Sequence, residues 1–313
     1  MSETTVTIVG AGISGAACLL ALRRAGVPAR LVDRGRAPGG RMASPLLHER
    51  RVDIGAGYFT VRDDEFGAIV DDWADRSLVR EWTDTFTVLR AGAEPESKTG
   101  PTRWGTPGGL RSLVRDLLRD VSIEQTDVES LPPGDVVLAM PDPQAARLTA
   151  VPYAVAYDPV ITVVLGLATA SSLPFTDAAF VQDDPDVEFL ALDGARRGDG
   201  APVLVAHTTA ERARRHLDDP DSAVDPVVEA VRRLTGVEAP EWTHAHRWTF
   251  AKPSSTHEAS FGLVERDGRL LGFAGDQWCP QGSPRVESAW RSGTDLGAAL
   301  ATQLGVRSAR RGA

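Results

Sequence analysis

A six-residue stretch near the start of the chain, Gly10-Ala11-Gly12-Ile13-Ser14-Gly15, has the residue types and spacing to hold a phosphate. It fits G-x-G-x-x-G: the first glycine permits a tight turn, the second lets backbone approach a pyrophosphate, and the third allows close helix–strand packing. The helix that opens here offers free N–H groups and the positive end of its dipole to an anion, with Ser14 in its first turn. An acid, Asp33, follows 18 residues past Gly15, where a carboxylate for a ribose hydroxyl is expected. Three arginines come next, Arg34, Arg36 and Arg41, around Pro38-Gly39-Gly40. Such a basic loop suits either a 2′-phosphate or a pyrophosphate, so a nicotinamide and a flavin dinucleotide both remain open at this point.

The other end of the chain favours a flavin. Gly272-Phe273-Ala274-Gly275-Asp276 reads as a buried strand delivering Gly-Asp, and Gly282-Ser283-Pro284-Arg285-Val286-Glu287-Ser288-Ala289 opens a second helix. Asp276 would hydrogen-bond a ribityl chain or cap local backbone. The helix start at Arg285 and Val286 would stabilise negative charge on a reduced isoalloxazine.

The elements that must position these residues follow from pattern. Thr5–Val9 is a short β-branched strand, Ala16–Ala25 a helix of good formers closed by Gly26, and Ala29–Asp33 a second strand. Strand, glycine turn, helix and strand make a βαβ unit with a parallel pair. The reading predicts helices at 63–79, 110–118, 222–234 and 285–304. Strands are expected at 85–90, 122–128, 135–140, 160–167, 189–192, 202–207, 242–250 and 270–274, with 92–106 turn-rich. The centre, 151–264, has the texture of an antiparallel sheet with helices. The fold class expected is α/β: a Rossmann-like dinucleotide domain of the glutathione-reductase type, discontinuous over 1–60, 105–150 and 265–313, interleaved with a substrate domain over 61–104 and 151–264.

Composition narrows the partners. The net charge of -9 argues against a nucleic-acid backbone or an anionic membrane surface. Cys18 and Cys279, the two cysteines, lie far apart, forming neither a disulfide framework nor a metal cluster and suiting a reducing cytoplasm. Both read as packed thiols. The apolar run at Val6–Val9 is too short for a membrane span and lacks a basic leader. The tail from Arg307 is expected to fray.

Taken together, the glycine motif, Asp33, Pro38-Gly39-Gly40-Arg41, Gly275-Asp276 and Val286-Glu287-Ser288-Ala289 resemble the flavin amine oxidase superfamily. Within it, Val52-Asp53-Ile54-Gly55-Ala56-Gly57-Tyr58-Phe59-Thr60-Val61-Arg62 resembles the D-x-G-A-x-Y-F-T segment of renalase-like proteins. His246-Arg247-Trp248-Thr249-Phe250-Ala251 resembles their H-x-W-x-x-A strand. The resemblance runs from residue 4 to about residue 304. It implies FAD held by Gly10, Gly12, Ser14, Gly15, Asp33, Arg34, Gly40, Arg41 and Asp276, with Gly275, Arg285 and Val286 beside it. It also places the backbone of Val128 at the adenine and Gly57 facing the flavin. The sequence departs from the pattern in two places: Asp33 replaces the more usual glutamate, and Gly57 stands where related proteins often have glutamine.

The activity the resemblance implies is oxidation of wrongly reduced dihydropyridine isomers of NAD(P)H, with hydride passing to flavin N5 and electrons then to O2, giving H2O2. Hydride leaves carbon directly, so positioning matters more than acid–base groups. Tyr58, Phe59 and Trp248 are candidates for an aromatic substrate wall, and Trp278 for the flavin edge. His244 and His246 flank Ala245 and face one side of a strand, where one would contact a carboxamide. Arg62, Arg103 and Arg247 are candidates for a basic pocket mouth. Many flavin amine oxidases place a lysine near flavin N5; here the lysines are Lys98, in a polar turn, and Lys252, at a strand end, and neither suits that role. Oxidation of a small amine is the alternative, and a non-catalytic FAD-binding redox sensor is a third reading.

Overall fold

The computed structural model describes residues 5–170 and 172–311. The chain divides into two compact units, one of Met1–Arg41, Leu113–Tyr157 and Pro253–Ala313, the other of Met42–Ser112 and Asp158–Lys252. Residues 42–60 and 105–112 thus pack with the second unit instead of the glycine motif. Val52 and Ile54 explain why: both are buried with Val164, Val203 and Val205 of that unit's sheet.

The first unit is built on the βαβ element. Strand Val6–Val9 leads through the glycine turn into helix Ile13–Arg24, and strand Ala29–Asp33 returns beside it in parallel. The six-stranded sheet runs, in spatial order, Gly262–Arg266, Arg269–Phe273, Val136–Leu138, Val6–Val9, Ala29–Asp33 and Ile123–Gln125. Every neighbouring pair is parallel except the first, an antiparallel hairpin that closes one edge. Val6, Ile8, Val136 and Leu271 are buried, as parallel strands covered on both faces require. Helix Val286–Arg311 packs closely on helix Ile13–Arg24: a Cβ on Gly293 would overlap the Ser14 carbonyl, and one on Gly297 would press on Ala21. The helix runs on to Arg311, and residues 312 and 313 lie outside the described residues.

The second unit carries a seven-stranded sheet, in order Trp242–Pro253, Tyr157–Gly166, Val203–Thr208, Val187–Leu192, Ala178–Gln182, Arg80–Arg90 and Glu96–Gly105. The expected antiparallel character needs correction at one pair, since Ala178–Gln182 runs parallel to Arg80–Arg90. The stretch 92–106, read as turns, is another correction. Glu96–Gly105 is an exposed edge strand whose pairing tolerates Gly100 and Pro101 through register shifts near Glu81–Thr85. Helices Asp64–Asp75 and Val224–Thr235 pack their apolar stripes inward, the first capped by the Asp63 side chain on Phe66 N–H. Among the described residues no helix is long and apolar enough to cross a membrane.

Candidate functional site

The glycine loop of the first unit is built by the absence of side chains. Gly10 adopts φ +113°, and a Cβ there would overlap the Ala139 carbonyl oxygen; one on Gly15 would overlap the Gly10 carbonyl oxygen. Around Gly12, by contrast, a Cβ would meet nothing within 4 Å. The first helical hydrogen bond runs from Ala16 N–H to Gly12 O, so the amides of residues 13–15 precede the helical ladder. Ser14 Oγ is buried without a hydrogen-bond partner among the described residues. Open space, amides at a helix start and an orphaned hydroxyl are what a dinucleotide phosphate would fill.

Two loops brace this turn. Gly39 N–H donates to Ala11 O at 2.8 Å, and Gly40 approaches Gly12. Asp33 accepts Ala11 N–H and Gly35 N–H, each at 2.6 Å, one on each oxygen. Its short side chain thus braces the loop backbone with one hydrogen bond on each oxygen. Arg34 is exposed. Arg41 and Asp276, expected to meet a cofactor separately, form a forked ion pair at 2.9 and 2.6 Å, with the guanidinium 5.6 Å from the centre of the Tyr157 ring. Burial, and then the Asp276 carboxylate, push the Tyr157 phenol well above its ordinary range. Val128 is half-buried against the Val136–Leu138 strand cluster.

At the second helix start, Gly275 N–H donates to Ser292 Oγ at 3.0 Å. Val286 is buried, and Ser288 Oγ caps Arg285 N–H at 2.8 Å. The positive end of this helix is already answered by Glu287, buried in the first turn and paired with Arg285 at 2.9 Å. Trp278, expected at the flavin edge, is buried with its face covered by His257, the ring centres 3.5 Å apart. His257 Nε2 lies 2.7 Å from Asp142, which also accepts Val155 N–H and Gln277 Nε2–H. No motif pointed to this buried group, since its members sit in three separate segments.

The second unit holds a buried charge cluster. Arg196, fully buried, donates to Gly57 O at 2.7 Å and to Asp193, and lies 3.4 Å from Asp53. Asp193 also accepts from Arg50 at 2.7 Å. Asp53 accepts Leu110 N–H at 2.8 Å and the Ser44 hydroxyl. Burial raises the Asp53 carboxyl above its ordinary value; Arg196 opposes that shift and Asp193 adds to it. His207, whose Nε2 is buried without a partner among the described residues, is pushed down to about 4 by burial and by Arg196. The cluster went unseen in the sequence because Asp53 and Arg196 are 143 residues apart and Arg196 sits in an ordinary-looking basic run.

The aromatic candidates divide. Phe59 is core, edge-on to Phe66 and stacked on Trp104, so it walls no pocket. Tyr58 is half-buried, edge-on to Phe86 at 5.3 Å. Beside it a Cβ on Gly57 would lie 3.0 Å from the Phe189 ring, so a larger residue there must displace that ring. Trp248 donates its indole N–H to Ile54 O at 2.8 Å and partly covers the Val52–Ile54 cluster. His246 lies edge-on to Trp248 at 4.5 Å; burial, then His244, Arg111 and Arg247, lower its pKa. Arg103 is removed from the expected basic mouth: it is buried 3.9 Å from the centre of the Phe86 ring and donates to Asp84 O at 2.6 Å. Arg247 is exposed and donates to Leu217 O; Arg62 lines a shallow acidic groove with Asp63, Asp64 and Asp71. Lys252 ends its strand and pairs with Glu188. Both cysteines are buried, and burial pushes the Cys18 thiol up to about 12.

A family profile described as an NAD(P)-binding Rossmann-like domain matches residues 8–73. Cyclohexylamine oxidase from Brevibacterium oxydans IH-35A is 14% identical, with a TM-score of 0.72 over 97% of this chain and 100% of that one. A putrescine oxidase double variant made in a redesign of cofactor binding is 15% identical, with a TM-score of 0.69 over 95% and 98%. The chain has the fold of the amine oxidase-type structures. A fatty acid isomerase from P. acnes that produces CLA shares it too, at 12% identity and a TM-score of 0.66 over 95% and 98%. The fold therefore carries more than one chemistry, and the residues must supply the rest.

Proposed function

We propose that this chain is an FAD-dependent oxidase of renalase-like type, acting on misreduced dihydronicotinamide isomers of NAD(P)H. The observation that carries the cofactor assignment is the Gly12 cradle: open space, helix-start amides and the unpartnered Ser14 hydroxyl. Gly10, Gly12, Ser14, Gly15 and Gly40 would hold the pyrophosphate. Arg41 would add charge while Asp276 keeps it oriented. Asp33 holds the loop in shape and keeps lone pairs for a ribose hydroxyl. When bound, FAD accepts hydride from the substrate and passes the electrons to O2, giving H2O2.

The units have distinct work in this reading: the first holds the cofactor and the second supplies the substrate contacts. Tyr58, His246 and Trp248 are the contacts we propose in the second. His246 beside His244 and Arg111 gives a polar surface with a cation near it that suits an anionic dinucleotide and disfavours an alkylammonium ion. Oxidation of a small amine is the second reading, favoured by the fold shared with the putrescine and cyclohexylamine oxidases.

Anaerobic stopped-flow absorbance near 450 nm, on the FAD-loaded protein, separates the two. Rapid bleaching by NADH or NADPH containing the minor isomers, and none by putrescine or cyclohexylamine, is the expected result. Bleaching by amines alone overturns it.

A further inference from the structure

The buried charge cluster of the second unit fixes one peptide group, and the consequence lies on that group's other side. Arg196 Nη1 donates to Gly57 O at 2.7 Å. Arg196 cannot swing away, because it is fully buried and its other nitrogen is held by Asp193 and lies 3.4 Å from Asp53. Those carboxylates are themselves tied down, Asp193 by Arg50 and Asp53 by Leu110 N–H and Ser44. The described peptide bonds are trans, and a planar trans peptide points its C=O and N–H in opposite directions. With Gly57 C=O drawn toward Arg196, Tyr58 N–H is aimed away from the cluster. Tyr58 makes ring contacts with Phe86, Phe189 and Arg103, and its N–H has no hydrogen-bond partner among the described residues.

We infer that Arg196 is a positioning residue that presents Tyr58 N–H as a donor to a carbonyl oxygen of the substrate, the carboxamide of a dihydronicotinamide. An alkylammonium ion has no acceptor to offer this N–H, so the same group separates the two substrate classes. The inference rests on the dihydronicotinamide reading above.

The chain has three tyrosines, Tyr58, Tyr153 and Tyr157, so selective ¹⁵N-tyrosine labelling of the FAD-loaded protein gives three amide signals. Tyr58→Phe assigns the one that matters by deleting it. Adding NAD⁺ is expected to shift the Tyr58 amide, and adding putrescine to leave it in place. Arg196→Lys, checked for folding by its melting curve and for FAD by its visible spectrum, is expected to weaken NAD⁺ binding ~tenfold. It should also raise KM for the dihydronicotinamide by a similar factor, with kcat changing far less. If dihydronicotinamide reduces the flavin but NAD⁺ leaves the Tyr58 amide unmoved, or Arg196→Lys binds as tightly as the parent, the inference falls and the oxidase reading stands. If no nicotinamide binds or reduces the protein, both fall. A Tyr58 shift with putrescine but not NAD⁺ overturns the carboxamide assignment and favours amines.

Discussion

The two candidate regions are made in opposite ways. The glycine loop of the first unit works by omission: Gly10 and Gly15 let backbone touch backbone, and Gly12 leaves a space open. The Asp53–Asp193–Arg196 cluster of the second works by excess, with three charges taken out of water to hold one carbonyl group. The first arrangement is local and costs little to fold. The second spans the unit and carries a desolvation penalty repaid only while every partner stays in place. A region of the first kind should tolerate change in function more readily than in stability; one of the second kind should lose both together.

The largest expected effect breaks the second region. Arg196→Met leaves Asp53 buried without its cation and takes one of the cations from Asp193, and should cost about 3–5 kcal/mol in urea unfolding at pH 7. The pH dependence has a definite sign. Asp53 already titrates above its unfolded value, so the folded state binds more protons than the unfolded state in that window, and its stability rises as pH falls. Removing Arg196 lifts the carboxyl further, so the variant's deficit should shrink as pH falls from 7. A deficit that stays constant with pH would mean the cluster is not carrying charge.

A smaller pair of changes divides the first region. Gly15→Ala forces a Cβ into the Gly10 carbonyl and should cost roughly 1–3 kcal/mol as well as FAD retention. Gly12→Ala places its Cβ in open space and should leave the unfolding midpoint of the apoprotein unchanged while weakening FAD. Equal losses of stability in both variants would refute the view that the space at Gly12 is kept for a ligand. The smallest effect is expected at Gly57→Gln: displacing Phe189 should cost about 1 kcal/mol and raise KM for the dihydronicotinamide, read by thermal melting and steady-state assay.

The same contrast explains what was legible in the sequence. The glycine motif, the βαβ unit and the Gly275-Asp276 strand end are encoded in adjacent residues, so spacing alone places them. The Arg41–Asp276 fork joins residues 235 positions apart, and each was assigned to the cofactor because nothing in the chain shows that the two meet. Phe59 and Arg103 misled for a related reason: residue type signals affinity for an aromatic or anionic ligand, but not whether Phe66, Trp104 or Phe86 already occupies that place. Edge strand Glu96–Gly105 was hidden because an exposed strand carries no apolar alternation, and its Gly100-Pro101 reads as a turn.

The central claim, that the loop at Gly10–Gly15 is a dinucleotide cradle, is tested most directly by titrating FAD into the apoprotein and into Gly12→Ala while following flavin fluorescence. A saturable one-to-one change with the parent, much weakened in the variant at an unaltered unfolding midpoint, is the expected result. A parent protein that leaves FAD fluorescence unchanged at every concentration would contradict it.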